Sequence, residues 1–335
     1  MQPSLVSILI PFKNTAAFLP DCLDSILSQQ FEQWEVLAVD DHSTDDSRSI
    51  VEAYCEKDSR IKYYPNQGKG IIEALRTAYT LSKGDLITRM DSDDIMKEYK
   101  LDQMVSALLK KGKGHVAIGK VSYFSDKGIS DGYARYEAWL NRLTESGNNY
   151  SEIYKECVIP SPCWMIFKED LEACDAFNPN RYPEDYDLTF RFYEYGLKCI
   201  PCSEVLHLWR DYPTRTSRTS EHYEQNYFLD IKVHYFLKLD HNPSRPLVVW
   251  GAGGKGKTIA SKLLEKNISF HWLCDNPRKI GKKIYGKELF HYQYLGQLRQ
   301  PQSIISVANE EAQEEIQGYL NNLGQKAIAD YFFFC

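Results

Sequence analysis

Three carboxylates, Asp91, Asp93 and Asp94, stand within four positions in GDLITRMDSDDIM, directly after the mostly apolar run from Leu86 to Met90. Like charges crowded at the end of a buried strand repel one another and lose hydration. Two carboxylates spaced one apart on a loop have a use that offsets this. They can hold a hard divalent ion through oxygen, and that ion can bridge a diphosphate. The competing reading is a solvated helix N-cap, a position that suits both Asp and Ser. A second acidic pair, Asp40-Asp41, ends the run WEVLAVDD.

The elements that must position these groups follow from the apolar pattern. Leu5 to Ile10 reads as a buried strand ended by Pro11, and FLPDCLDSILSQQ as a helix with Phe18, Leu19, Cys22, Ile26 and Leu27 on one stripe. WEVLAVD is a second strand, and the turn residues Ser43, Thr44 and Asp45 can cap a helix beginning near Asp46. A third strand near Ile61 to Tyr64, a helix near Ile71 to Ser82 and a strand from Leu86 to Met90 complete the alternation. Strands alternating with helices imply an α/β fold with a parallel sheet, whose ligands bind at the carboxyl ends of the strands. The loops after Ile10, Val39 and Met90 therefore converge on one site. Further on the pattern predicts an amphipathic helix in ARYEAWLNRLTES and a helical run near Tyr223 to Leu239. The polar DHNPSRP, with two prolines, reads as a linker. The domain reading is residues 1–240, a linker at 241–246 and a smaller domain at 247–335.

The chain has 335 residues, 43% of them hydrophobic and 26% charged, a length that suits two domains. A net charge of −6 argues against a generally basic nucleic-acid binder, although a local patch can still hold phosphate. The nine cysteines, read as scattered without a C-x-x-C spacing, suggest neither a disulfide framework nor a zinc knuckle and read as reduced thiols of a cytoplasmic protein. No signal peptide or transmembrane segment is expected.

SILIPFKNTAAFLPDCLDSILSQQFEQWEVLAVDDHSTDDS, then GDLITRMDSDD, then PEDYDLTFRFYEYGLK, in this order across residues 4–215, resemble the family 2 glycosyltransferases of GT-A fold. The resemblance implies an inverting transferase that moves a hexose from a UDP-sugar to an acceptor hydroxyl with Mn²⁺ or Mg²⁺. It implies that Pro11 and Phe12 wrap the nucleoside, and that Asp41 accepts a hydrogen bond from the base. Asp91 contacts the ribose or the metal and Asp93 ligates the metal, while Asp94 caps or supports the loop. Asp185 matches the base that takes the acceptor proton. Read structurally, Glu184 and Asp185 also place favourable charge at a helix start, and a helix start fixes a base rigidly. Two features depart from the family pattern. Leu75 stands where relatives carry a basic residue, with Arg76 and Lys69 nearby, and WRDYPTRTSR has no histidine two residues after its first arginine. Arg210, Arg215 and Arg218 form either a diphosphate clamp or a solvated basic loop.

GAGGKGKT, from Gly251 to Thr258, satisfies two patterns at once. As G-x-G-x-x-G, its Gly251, Gly253 and Gly256 would cradle a nucleotide, with Asp275 near the ribose-contacting distance. As a P-loop, it would set Lys257 on phosphate and Thr258 on Mg²⁺. The third reading is a small Rossmann-like domain whose glycines serve packing. The region is similar to small nucleotide-binding domains that accompany some sugar-modifying enzymes. Arg278, Lys279, Lys282, Lys283 and Lys287 either track RNA phosphates or form a solvated loop. The acceptor is expected to be a hydroxyl of a modified tRNA nucleoside. The alternative is a surface-polysaccharide or lipid-linked glycan, and the more distant one an NAD- or ATP-dependent enzyme run from Gly251 to Thr258.

Overall fold

The structure, a computed structural model, describes residues 4–215 and 228–335. They form two compact units, one of residues 4–149 and 158–215, the other of residues 150–157 and 228–335.

In the first unit β1 (Val6–Phe12) is buried at all seven positions, as an internal parallel strand must be. α1 (Leu19–Leu27) follows, with Pro20 in its first turn, where no N–H is missed, and Leu19, Cys22, Leu23 and Ile26 turned to the core. Then come β2 (Trp34–Asp40), α2 (Ser47–Lys57), β3 (Ile61–Pro65), α3 (Ile71–Leu81) and β4 (Leu86–Arg89). β5 (Ile95–Met96), α4 (Lys100–Lys111), β6 (His115–Phe124) and α5 (Asp131–Ser146) lead to β7 (Trp164–Phe167). α6 (Lys168–Ala173), α7 (Glu184–Tyr195) and β8 (Lys198–Arg210) complete it. The sheet order is β3-β2-β1-β4-β7-β6-β8-β5. β3, β2, β1 and β4 are parallel, with Phe12 opposite Asp40 and Asp40 opposite Pro65. That register brings the ends of β1, β2 and β3 level, so the loops after them open on the same edge. β7 is antiparallel to β4 and β6, which mixes the far half of the sheet.

Two sequence expectations change here. Asp91 to Asp94 do not cap a helix. They form a turn into the two-residue β5, and α4 begins only at Lys100. All nine cysteines are free thiols. Cys199 and Cys202 do have the C-x-x-C spacing of metal and redox loops, but they lie along β8, where residues three apart face opposite sides of a sheet.

The second unit contains α8 (Leu229–Tyr235), β9 (Leu247–Trp250), α9 (Gly254–Glu265), β10 (His271–Cys274), β11 (Lys283–Ile284) and β12 (Lys287–His291). β13 (Gln302–Ile305), α10 (Glu310–Asn322) and β14 (Tyr331–Phe333) follow. Its sheet runs β11-β12-β10-β9-β13-β14, parallel except for β11. Residues 150–157 and the helix before the 241–246 stretch pack here, a division that differs from the boundary expected at 240. The cause is aromatic packing: Tyr154 stacks on Phe334 at 5.1 Å and meets Phe236 and Phe332 edge-on, and Lys232 Nζ donates to Lys155 O at 2.8 Å. Among the described residues, no helix is long and apolar enough to cross a membrane.

Candidate active site

Asp41 is the first residue past β2. Its backbone N–H donates to Phe12 O at 2.8 Å, and its Oδ1 accepts from Asn66 Nδ2 and Gly70 N, both at 2.8 Å. Lys13 Nζ stands 3.5 Å from Oδ2. The carboxylate is thus fixed by residues that sequence reading did not single out. Gly70 is usable because its φ of +92° favours glycine and turns its N–H toward the acid. Phe12, expected to wrap a nucleoside, is only 3% exposed and packs in the core, with Tyr63 at 6.5 Å. Pro11 is buried beside it. Leu75 is a core residue. Arg76 braces the chain ahead of α7, donating to Asn178 O and Asn180 Oδ1, each at 2.8 Å, rather than reaching toward a base.

The acidic loop after β4 is held from two sides. On one, Arg89 Nε donates to Asp91 Oδ1 and Arg89 Nη1 to Glu184 Oε1, each at 2.8 Å. On the other, Tyr212 Oη donates to Asp93 Oδ2 and Arg210 Nε to Asp93 O, again at 2.8 Å. Burial, with Asp94 and Asp91 close by, pushes the Asp93 carboxyl up to about 7. Asp94 is fully buried. Its Oδ1 accepts Arg210 N at 2.8 Å, and its Oδ2 lies 2.9 Å from His207 Nε2. Lys100 Nζ donates to Pro162 O at 2.6 Å and to His207 Nδ1 at 3.2 Å. Burial and the Lys100 charge hold His207 well below its usual range, so the ring is neutral and its Nε2–H donates to Asp94. Asp94 is therefore a buried structural carboxylate.

Arg210 is held through Nε and Nη2. Besides Asp93 O it donates to Asp21 Oδ2 at 2.8 Å and lies over the Phe124 and Phe18 rings at 4.6 and 5.0 Å. It shapes the loop through these two donors. Burial opposes charge on Arg215, but Asp94 and Asp93 outweigh it and raise its pKa, and Arg215 is in turn the cation that acts most on Asp93 and Asp94. Arg218 lies outside the described residues.

Asp185 sits in the first turn of α7, its Oδ1 accepting from Tyr186 N at 2.7 Å. Burial first and Glu184 second push it up to about 7, against the pull of Arg89. A carboxyl poised near neutrality can accept a proton during a reaction. The structure thus joins Asp91 and the helix start carrying Asp185 through Arg89. The available sequence signal was a charged residue inside the apolar run LITRM.

Among the described residues no cluster of three or more His, Cys, Asp or Glu forms a ready metal cage. The donor set still fits a divalent ion that arrives with a diphosphate. Asp91 has its Oδ1 committed to Arg89, and the crowded Asp93 lacks full neutralisation. One or two carboxylates completed by phosphate oxygens is the usual Mg²⁺ pattern.

In the second unit, α9 begins at Gly254, and Lys257 N already donates to Gly253 O at 3.0 Å. Only Ala252 and Gly253 separate Gly251 from the helix, a turn too short to wrap a phosphate as a P-loop does. A Cβ at Gly256 would lie 2.1 Å from Gly251 O, and one at Gly251 2.4 Å from Ser306 Oγ; both glycines serve packing. Gly253 meets nothing within 4 Å. Asp275 is exposed just past β10.

A sheet with its acidic loops gathered at strand ends, facing a helix that opens on a carboxylate, is the frame of a nucleotide-sugar transferase. Residues 7–174 match the family described as Glycosyl transferase family 2, and the chain belongs to that family; it is a glycosyltransferase. The Streptococcus pneumoniae glycosyltransferase GlyG is 27% identical over 212 residues, 62% of this chain and 70% of its own length. Escherichia coli WfgD, named a UDP-Glc:α-D-GlcNAc-diphosphoundecaprenol β-1,3-glucosyltransferase, is 38% identical over 111 residues, 33% of this chain and 43% of its own. Two solved structures share the fold, which is GT-A. Staphylococcus aureus TarS 1–349 with UDP-GlcNAc has a TM-score of 0.56 at 17% identity, covering 78% of this chain and 72% of that one. The Pyrobaculum calidifontis mannosyltransferase PcManGT, with GDP-Man and Mn²⁺, has 0.51 at 19%, covering 70% and 64%.

Proposed function

We propose that the protein transfers a hexose from a UDP-sugar to a hydroxyl of a surface-polysaccharide or lipid-linked glycan, with inversion at C1. The observation that carries this reading is the joining of Asp91 to the α7 start through Arg89, which sets a carboxyl poised near neutrality beside the donor loop. Asp41 accepts from the base, and Asp91 and Asp93 would hold a divalent ion on the diphosphate, which would supply charge neutralisation for the departing UDP. Asp185 takes the proton from the acceptor hydroxyl as its oxygen bonds to C1. The C1–O bond to UDP breaks, and UDP leaves with the electron pair. Arg215 adds positive charge near the acids.

The acceptor reading leans on WfgD, whose printed name describes transfer to a diphosphoundecaprenol-linked sugar. The second reading, from a likeness of sequence arrangement over nearly the full chain, is a queuosine-tRNA galactosyltransferase. The basic run from Arg278 to Lys287, largely exposed, is the feature favouring that acceptor, but the relatives named above give it no support. A cytoplasmic setting fits the nine free thiols. Gly251, Gly253, Gly256 and Asp275 are read as an accessory nucleotide site at most.

The test is sugar transfer from a pool of UDP-hexoses with Mn²⁺, offered in parallel to a diphosphate-lipid-linked GlcNAc acceptor and to bulk tRNA. Label on the lipid-linked sugar supports the reading. Label on tRNA alone moves the acceptor to queuosine. No UDP release with either overturns the activity.

A further inference from the structure

Arg89 ends β4 and is only 6% exposed. Taking a guanidinium out of water is costly, and it is tolerated only where carboxylates meet its donors well. Arg89 has two such partners from distant parts of the chain: Asp91 two residues on, and Glu184, 95 residues away, each at 2.8 Å. Two buried charges, Arg89 and Glu184, with a part-buried Asp91 are a poor way to gain stability, since apolar residues of the same volume commonly do as well. What they supply is geometry, because the planar fork fixes two carboxylates relative to each other. Glu184 and Asp185 open α7 together.

α7 does not need this bridge to stay docked. Arg191, on the helix itself, donates to Cys174 O and to Ala176 O, the latter at 2.6 Å. Arg76 grips Phe177 O, Asn178 O and Asn180 from behind. The Arg89 bridge acts only on the first turn, where Asp185 stands.

We propose that Arg89 is a positioning residue for transfer: its guanidinium locks the start of α7 to the donor loop, so that Asp185 and the donor are held in one frame. This rests on Asp185 being the base and on Asp91 and Asp93 facing the donor. A misplacement of the reacting groups by about 1 Å costs on the order of a hundredfold in rate.

The experiment is a double-mutant cycle of Arg89→Lys, which keeps the charge and loses the fork, and Glu184→Gln, which removes the α7 arm. Transfer kcat, the KM for the UDP-sugar, Mn²⁺-dependent UDP affinity and the melting temperature are measured for each. Each single variant is expected to lose about tenfold to a hundredfold in kcat, with KM and UDP affinity within about threefold. The double variant should be no worse than the weaker single, because both break one bridge. Unchanged kcat in either single variant, losses that multiply in the double, or loss of UDP affinity at unchanged kcat overturns the inference alone. A wild-type protein that neither binds UDP nor transfers sugar overturns it together with the function it rests on.

Discussion

Replacing Asp185 by Asn should do two opposite things, and the pair of effects tests whether burial tunes the proposed base. The carboxyl is pushed from 3.8 up to about 7, by burial and then by Glu184. A group raised in the folded state contributes stability that is fully present below its unfolded pKa, near 4, and is lost as pH rises through about 7. The ionised carboxylate therefore penalises the native fold at about pH 8 and hardly ionises there at about pH 5. A shift of about 3 units corresponds to a ceiling of about 4 kcal/mol, of which about 2–3 kcal/mol separates those two pH values. Asn carries no such charge. Asp185→Asn should thus melt several degrees higher than wild type at about pH 8, with a much smaller gain at about pH 5. Transfer should fall by orders of magnitude at both, while UDP binding persists. The assay is thermal melting in chelator at the two pH values, alongside UDP release. Wild-type kcat should itself fall about tenfold per pH unit below about 7. A stability gain no larger at high pH, or a variant that still turns over, refutes the reasoning.

Asp93→Ala should abolish metal-dependent UDP binding, read by calorimetry with and without Mn²⁺; unchanged binding removes it as a ligand. Lys100→Met leaves Pro162 O and His207 Nδ1 buried without their donor and removes the weaker of the two cations acting on Asp94, and should cost roughly 3–5 kcal/mol in urea unfolding. That loss should be smaller at about pH 5, where Asp94, itself pushed up to about 7, can protonate. In the second unit Gly256→Ala should lower the melting temperature by several degrees, because its Cβ would meet backbone at 2.1 Å, whereas Gly253→Ala should be nearly neutral.

Residue order alone settles the strand-and-helix alternation, the convergence of acidic loops at strand ends, and the family. Those are local facts: a short apolar run rich in β-formers such as VSILIPF reads as an internal strand, and consecutive residues such as Asp91, Ser92 and Asp93 cannot be separated by folding. It also picked out Asp41, Asp91, Asp93 and Asp185 by type and order. What each acid touches was decided only by tertiary structure. Asp94 looks equivalent to Asp93 in the chain, yet it points into a closed chain of His207 and Lys100 and is structural. Arg210 looks like a free clamp, yet its Nε and Nη2 are tied to Asp93 O and Asp21. Arg89 looks like an anomaly in a strand until Glu184 arrives from 95 residues away. Charge and spacing are written along the chain, but the partner that neutralises a buried charge is chosen by packing across it, and there the roles were set.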